Sequence, residues 1–347
     1  MKELRVWNLY FYPYLIFSSC FKLPPLFGPH TAMIDIEDEC DLHCRMCYFH
    51  SPFVEGKFRD SFTRMEFRVF ENLITEFTHL RVKKLILCGK GEPFLHPEIV
   101  GMIKLVKSQG FYLNIFTNGI HINEEYLKVI LDFKVDRLTF SIHAGDEDTY
   151  YRVHPTAPEG AFSKIETTLE RINKFKEENK SKLPYLKFVY VIYKDNYRNI
   201  NEMVKFARKH RANEVLFKPV QLFPQQKELS MDECDITWLI EEVQKLKIDI
   251  KNNLHNYLWS LINKKSCETN TGKRSCFLPW YQSVIATNGD VLFCTYNQIK
   301  MGNIKESEFS KIWSSRYYQE LRKELPCNSC PGVSVYPFLR VFRRIFS

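Results

Sequence analysis

"ECDLHCRMCYF" (residues 39–49) places Cys40, Cys44 and Cys47 within eight positions, just after the apolar run "AMIDI" (32–36). A loop of that length lets three thiolates converge on a small cube of iron and sulfur. A cubane holds four irons, so three protein ligands leave one iron open. Structural zinc asks for four closed ligands, and no further Cys or His follows in a ligand-like continuation. His43 and His50 stand nearby, His43 within the loop itself, so a CxxHCxxC zinc site is the alternative that the loop alone leaves open.

Outward from the loop, short apolar runs alternate with amphipathic ones. The strand-like runs are "AMIDI" (32–36), "KKLILCG" (83–89), "YLNIFTNG" (112–119), "RLTFSIH" (137–143), "YLKFVYVIY" (185–193) and "EVLFKPV" (214–220). Between them lie helix-like segments over 63–77, 96–110, 123–133, 161–178 and 199–210. Such alternation reads as repeated βα units with a parallel sheet, its runs apolar on both faces as buried strands require. Sheets of this kind carry their chemistry on loops at the carboxyl ends of the strands. The three cysteines follow the first strand and so belong on that active face.

The 347 residues, 45% hydrophobic and 26% charged, exclude general disorder. The net charge of +8 is spread along the chain without a basic run, which argues against a nucleic-acid partner. The N-terminal stretch is a poor signal peptide, since Glu3 and Pro13 interrupt its charged and apolar parts. No run approaches the roughly 18 apolar residues of a spanning helix. A cytoplasmic location with reduced thiols is expected. Both ends, "VWNLYFYPYLIF" and "YPFLRVFRRIFS", mix bulky apolar with basic residues; peripheral membrane contact and packing on the domain are both open to them.

"CDLHCRMC" after a first strand resembles the signature of the radical S-adenosylmethionine (SAM) superfamily, in which SAM chelates the open iron. "CGKGEP" (88–93), ending the second strand, resembles that family's GGEP motif through Gly89, Gly91, Glu92 and Pro93, with Lys90 inserted. Glycines allow close backbone approach, and free carbonyls accept bonds from an ammonium group such as SAM's. "FTNG" (116–119) and "FSIHAGDEDTYYRVHP" (140–155) continue the resemblance, which implies SAM contacts for Asn118, Ser141 and Arg152. Tyr48 is placed near adenine or, equally, in the core. The fold implied is α/β, a partial (β/α)6 TIM-like barrel.

A second constellation follows. Cys276, Cys294, Cys327 and Cys330 can enclose a metal centre completely, and "NGDV" (288–291) makes a two-residue hairpin turn at Asn288 and Gly289. Four cysteines suit zinc as well as iron and sulfur. This region resembles the SPASM and twitch extensions of radical SAM enzymes, and with the first motif upstream it implies a second 4Fe-4S cluster. The longer SPASM pattern has further cysteines after its CxxC, whereas "PGVSVYPFLRVFRRIFS" has none, so one auxiliary cluster is expected. Cys267 is a minor competing ligand.

The domains expected are an N-terminal extension (1–30), a radical SAM core (31–225), linker helices (226–275), an auxiliary cluster domain (276–333) and a basic aromatic tail (334–347). The resemblance implies reductive cleavage of SAM to a 5′-deoxyadenosyl radical, hydrogen abstraction from substrate, and a flavodoxin or ferredoxin as electron donor. A fully ligated auxiliary cluster favours a net two-electron oxidation. The leading expectation is therefore dehydrogenation of an alcohol on a sugar, aminocyclitol or related small molecule. Maturation of a ribosomally made peptide is the alternative, and a non-catalytic protein with a C-terminal zinc site the reading from another class.

Overall fold

The computed structural model describes residues 14–15, 17–19, 21–54, 63–254, 276, 278–295 and 298–324. The six expected strands form as β1 (Thr31–Asp35), β2 (Lys84–Cys88), β3 (Tyr112–Thr117), β4 (Arg137–Ser141), β5 (Tyr185–Ile192) and β6 (Glu214–Pro219), in chain order and all parallel. Helices α1 (Phe67–His79), α2 (Ile99–Ser108) and α3 (Glu124–Asp132) connect the first four. The β4–β5 connection holds α4 (Glu147–Val153) and α5 (Ala161–Glu178), and α6 (Ile200–Lys209) precedes β6. The short α4 escaped the periodicity; Asp146 starts it by accepting from the Thr149 N–H.

Helical spacing explains the outer layer. In α1, Phe70, Leu73, Ile74 and Phe77 recur at the interval of one helix face, and all four are buried. They cover the outward side of the sheet, where Ala32, Ile34, Leu85, Leu87, Leu113 and Ile115 are wholly inaccessible. The inward side differs from the expectation of runs apolar on both faces. Strand register sets Phe116, Thr139, Lys187, Glu214 and Lys251 side by side, and Asp35 beside Cys88. A fully covered sheet buries both faces, whereas this inner face surrounds a lumen and keeps ionisable groups.

The largest departure lies at the sheet edges. β8 (Gln282–Ile285) pairs parallel with β1, from Thr31 beside Gln282 to Ile34 beside Ile285. β9 (Asp290–Leu292) and β10 (Lys300–Asn303) follow antiparallel, and β7 (Lys251–Asn252) extends the opposite edge beyond β6. Among the described residues the sheet has ten strands in the order β10-β9-β8-β1-β2-β3-β4-β5-β6-β7. The cysteine-rich region thus continues the core sheet. The β8–β9 turn is one residue longer than expected: Ala286 N–H donates to Asp290, and Thr287, Asn288 and Gly289 form the loop. Gly289 takes φ +92°, a left-handed conformation suited to glycine. Of the expected linker helices, α7 (Glu233–Lys245) is described, capped reciprocally by Asp232 and Asp235.

α8 (Leu278–Tyr281), α9 (Phe309–Trp313) and α10 (Arg316–Glu324) complete the C-terminal layer. They close around Arg322, which is 1% exposed. Its Nε donates to Pro279 O at 3.0 Å and its Nη1 to Trp313 O at 2.9 Å, while its guanidinium lies 4.2 Å from the Trp313 ring centroid and 3.8 Å from that of Tyr318. Arg322→Met removes both donors and leaves two buried carbonyls unmet. A loss of about 2–4 kcal/mol in urea unfolding is expected.

Candidate functional site

The loop after β1 is held from four directions. Glu37 is buried and accepts from the Arg64 guanidinium. Asp38 Oδ2 accepts from the hydroxyls of Thr63 and Thr287, each at 2.7 Å, tying the loop to the β8–β9 turn. From the β2 side, Gly91 N–H donates to Glu37 O at 3.0 Å and Glu92 N–H to Glu39 O at 2.8 Å. From the far side, the Gln226 amide donates to the carbonyls of Arg45 (3.0 Å) and Cys47 (3.3 Å).

The glycine motif therefore has a role the sequence reading did not give it. A Cβ on Gly91 would lie 2.1 Å from Glu39 O and 2.6 Å from Asp38 C, and one on Gly89 2.9 Å from Glu37 O. The close approach is to the cysteine loop's own backbone. Glu92 is 2% exposed and points inward. It accepts from Phe94 N–H (3.1 Å), the Thr117 hydroxyl (2.8 Å) and Asn118 N–H (2.6 Å), stapling the ends of β2 and β3. Pro93 is buried beside it. Burial pushes the Glu92 carboxyl up to about 7, against the pull of those donors. Its ionised form thus weakens the folded state as pH rises from about 4.5 to about 7. Glu92→Gln keeps the shape but turns an amide NH2 toward one of these donors. A stability loss of about 1–3 kcal/mol is expected by thermal unfolding, without change of fold in circular dichroism.

Asn118 reaches the loop indirectly. Its Nδ2 donates to Asp41 Oδ1 at 3.1 Å, and Asp41 Oδ2 lies 2.9 Å from His121 Nε2. The His121 hydrogen bond holds the Asp41 carboxyl below the usual range despite burial, and Asp41 in turn raises His121. Its contribution to stability is full between the ordinary values of 3.8 and 6.5, and is lost as pH falls through the lowered Asp41 value or rises through the raised His121 value.

The three thiols lie inside this frame. Cys47 N–H donates to Cys44 O at 2.9 Å, turning the loop, and Cys47 Sγ accepts from the N–H groups of Phe49 (3.4 Å) and His50 (3.3 Å). His154 Nδ1 stands 2.9 Å from Cys44 Sγ. Its Nε2 lies 2.9 Å from Ile142 O, a pure acceptor, so Nε2 carries the proton. Burial pushes all three thiols up, and the charges of Cys40 and Cys44 are each opposed by another cysteine of the loop. Three thiolates here need a shared cation, which an iron-sulfur cluster supplies. Among the described residues no three His, Cys, Asp or Glu side chains are grouped to hold one metal ion. A cubane makes a different demand, with each thiolate on its own iron.

The other expected residues are dispersed. Ser141 ends β4 on the inward face beside Val189. Arg152 is exposed, donating to Asp195 O at 3.1 Å in a cleft with Thr149, Lys194 and Arg198. Tyr48 is 43% exposed, with its ring centroid 4.2 Å from that of Phe223. Cys276 precedes α8 and Cys294 follows β9; Cys327, Cys330 and Cys267 lie outside the described residues. His154, Asp41 and Gln226 were missed. His154 lay within the quoted "YYRVHP", but only the fold brings it to Cys44.

Comparison with known proteins places this frame. The radical SAM superfamily profile matches residues 36–207, and the SPASM iron-sulfur cluster-binding domain profile matches 276–331. A tungsten-containing aldehyde ferredoxin oxidoreductase cofactor-modifying protein of Pyrococcus furiosus is 26% identical over 83% of this chain and 82% of its own. A PqqA peptide cyclase of Methylocella silvestris is 24% identical over 88% and 81%. Among solved structures, Streptococcus suis SuiB bound to precursor peptide SuiA superposes with TM-score 0.63 at 16% identity, over 85% of this chain and 67% of that one. Both profiles, in the order and positions of the two cysteine groups, make this chain a radical SAM superfamily enzyme with a SPASM domain, its cofactors SAM and iron-sulfur clusters.

Proposed function

We propose that the chain is a maturase that modifies a peptide. The observation carrying this reading is the likeness to the PqqA peptide cyclase, which runs through both domains over 88% of the chain. It displaces alcohol dehydrogenation on a sugar or aminocyclitol as the leading reading. That idea rested on the count of auxiliary cysteines, which constrains electron flow and says little about what enters the lumen. The likeness to a cofactor-modifying protein makes a cofactor the second reading.

In this proposal Cys40, Cys44 and Cys47 hold the SAM-binding cluster, and Cys276, Cys294, Cys327 and Cys330 the auxiliary one. A cluster held there with SAM would supply radical chemistry for taking hydrogen from the substrate. The chain's own part is positioning. Gly91, Glu92 and Gln226 fix the loop's backbone, and Asp41 and Asn118 fix its flank. A flavodoxin or ferredoxin supplies the electron. Of the expected SAM contacts, Ser141 stands on the inward face, and Glu92 reaches the loop through its N–H to Glu39 O.

The test uses enzyme purified without oxygen, SAM, a reductant and a pool of short peptides encoded near the gene. A mass change in one peptide, matched by 5′-deoxyadenosine, supports the reading. Deoxyadenosine with every peptide unchanged, and turnover of a small alcohol instead, overturns it.

A further inference from the structure

Charges on the inner face of the sheet are almost all accounted for. Lys187 on β5 pairs with Glu214 on β6 at 2.7 Å, and Lys251 reaches the same carboxylate at 3.2 Å. Arg137 lies 4.6 Å from the Tyr185 ring centroid and Lys84 5.2 Å from that of Tyr112. Lys218 is different. It stands near the carboxyl end of β6 beside Val191, half-buried, and makes no hydrogen bond or ion pair among the described residues.

Its surroundings give the charge no relief. Two pairs of residues along from Glu214, Lys218 falls on the inward face of β6, and its charge acts on Cys88 on β2 and on His143 after β4. Cys88 Sγ is itself 3.6 Å from Asp35 Oδ1. Burial, reinforced by Lys187, disfavours the charged amine. A half-buried charge without a partner is costly, and a bound anion offsets that cost. A single ammonium suits a single negative charge better than a polyphosphate, which calls for several cations or an arginine fork.

We propose that Lys218 anchors a carboxylate of the substrate in the lumen. Resting on the peptide reading above, the group is the side chain of a Glu or Asp in the modified peptide. The carboxylate of SAM is the other source of the same chemistry, and the test separates the two.

Holoenzyme with oxidised clusters is acetylated briefly with an amine-reactive acetyl ester, and each lysine is quantified by peptide mass spectrometry. With SAM saturating, N-acetylglutamic acid α-amide should protect Lys218 at least threefold, while its glutamine counterpart protects little. The exposed Lys174 should be labelled equally throughout. In ligand-observed NMR, Lys218→Arg should keep the acidic ligand and Lys218→Met should bind it about tenfold more weakly. Equal labelling with both ligands overturns the proposal, as does unchanged binding in Lys218→Met. Complete protection by SAM alone also overturns it, since the cofactor is then the occupant. The peptide reading fails separately, in the mass-change assay, and leaves Lys218 protection unaltered.

Discussion

Cys44→Ala is expected to reduce 5′-deoxyadenosine formation to the level of a protein-free control. Cys44 is one of three loop thiols, with His154 against its sulfur, so its loss leaves two thiolates for the cluster. Cys294→Ala should behave differently. Cys294 follows β9 at the sheet extension, away from the β1 loop, so cleavage of SAM should persist while modified product is lost. Iron should fall by about half in each variant, from about eight per chain to about four. Identical behaviour in the cleavage assay would end the assignment of separate roles to the two groups.

The second large effect concerns a residue with no functional group. Gly91→Ala puts a methyl group 2.1 Å from Glu39 O, between atoms of two backbones that cannot turn aside. The segment from Asp38 to Cys40 must then move, and the first iron site moves with it. A loss of about 3 kcal/mol or more is expected, with about four irons missing per chain and SAM cleavage abolished. Gly110→Ala is the control. Its φ of +77° carries some strain, but nothing lies within 4 Å of the added carbon. It should cost about 1 kcal/mol and keep its iron. If both variants retain iron equally, contact between the GGEP-like turn and the loop does not position the cysteines.

Much of the core was readable from periodicity. β1 to β6 appear where the apolar runs stood, because outward residues such as Ile34, Leu87 and Ile115 must meet helices. The inner face was not readable, since Lys187, Glu214 and Lys218 interrupt the runs without breaking their strand character. β7 and α4 are too short to show a period. The join between β1 and β8 depends on residues about 250 positions apart, and no local pattern reports such a pairing. At the site, the loop cysteines declared themselves by spacing. Glu92 was legible as a motif, but its bonds to Phe94, Thr117 and Asn118 were not, because they depend on how the ends of β2 and β3 meet. Arg152, conspicuous beside the motif, donates to the carbonyl of Asp195, whose carboxylate pairs with Arg45 of the cysteine loop, a link no local pattern reports. Among the described residues, no helix is long and apolar enough to cross a membrane.

The pairing of β8 with β1 also bears on the order in which the protein is made. β1 is synthesised early and β8 long after it, so a growing chain that already holds β1 to β6 still lacks the strand that covers β1. Until then the hydrogen-bonding groups of β1 on the side away from β2 face solvent, as in an edge strand open to other chains. The auxiliary region thereby acts as a closing piece for the nascent core, and a ribosome stalled before residue 282 displays an aggregation-prone edge.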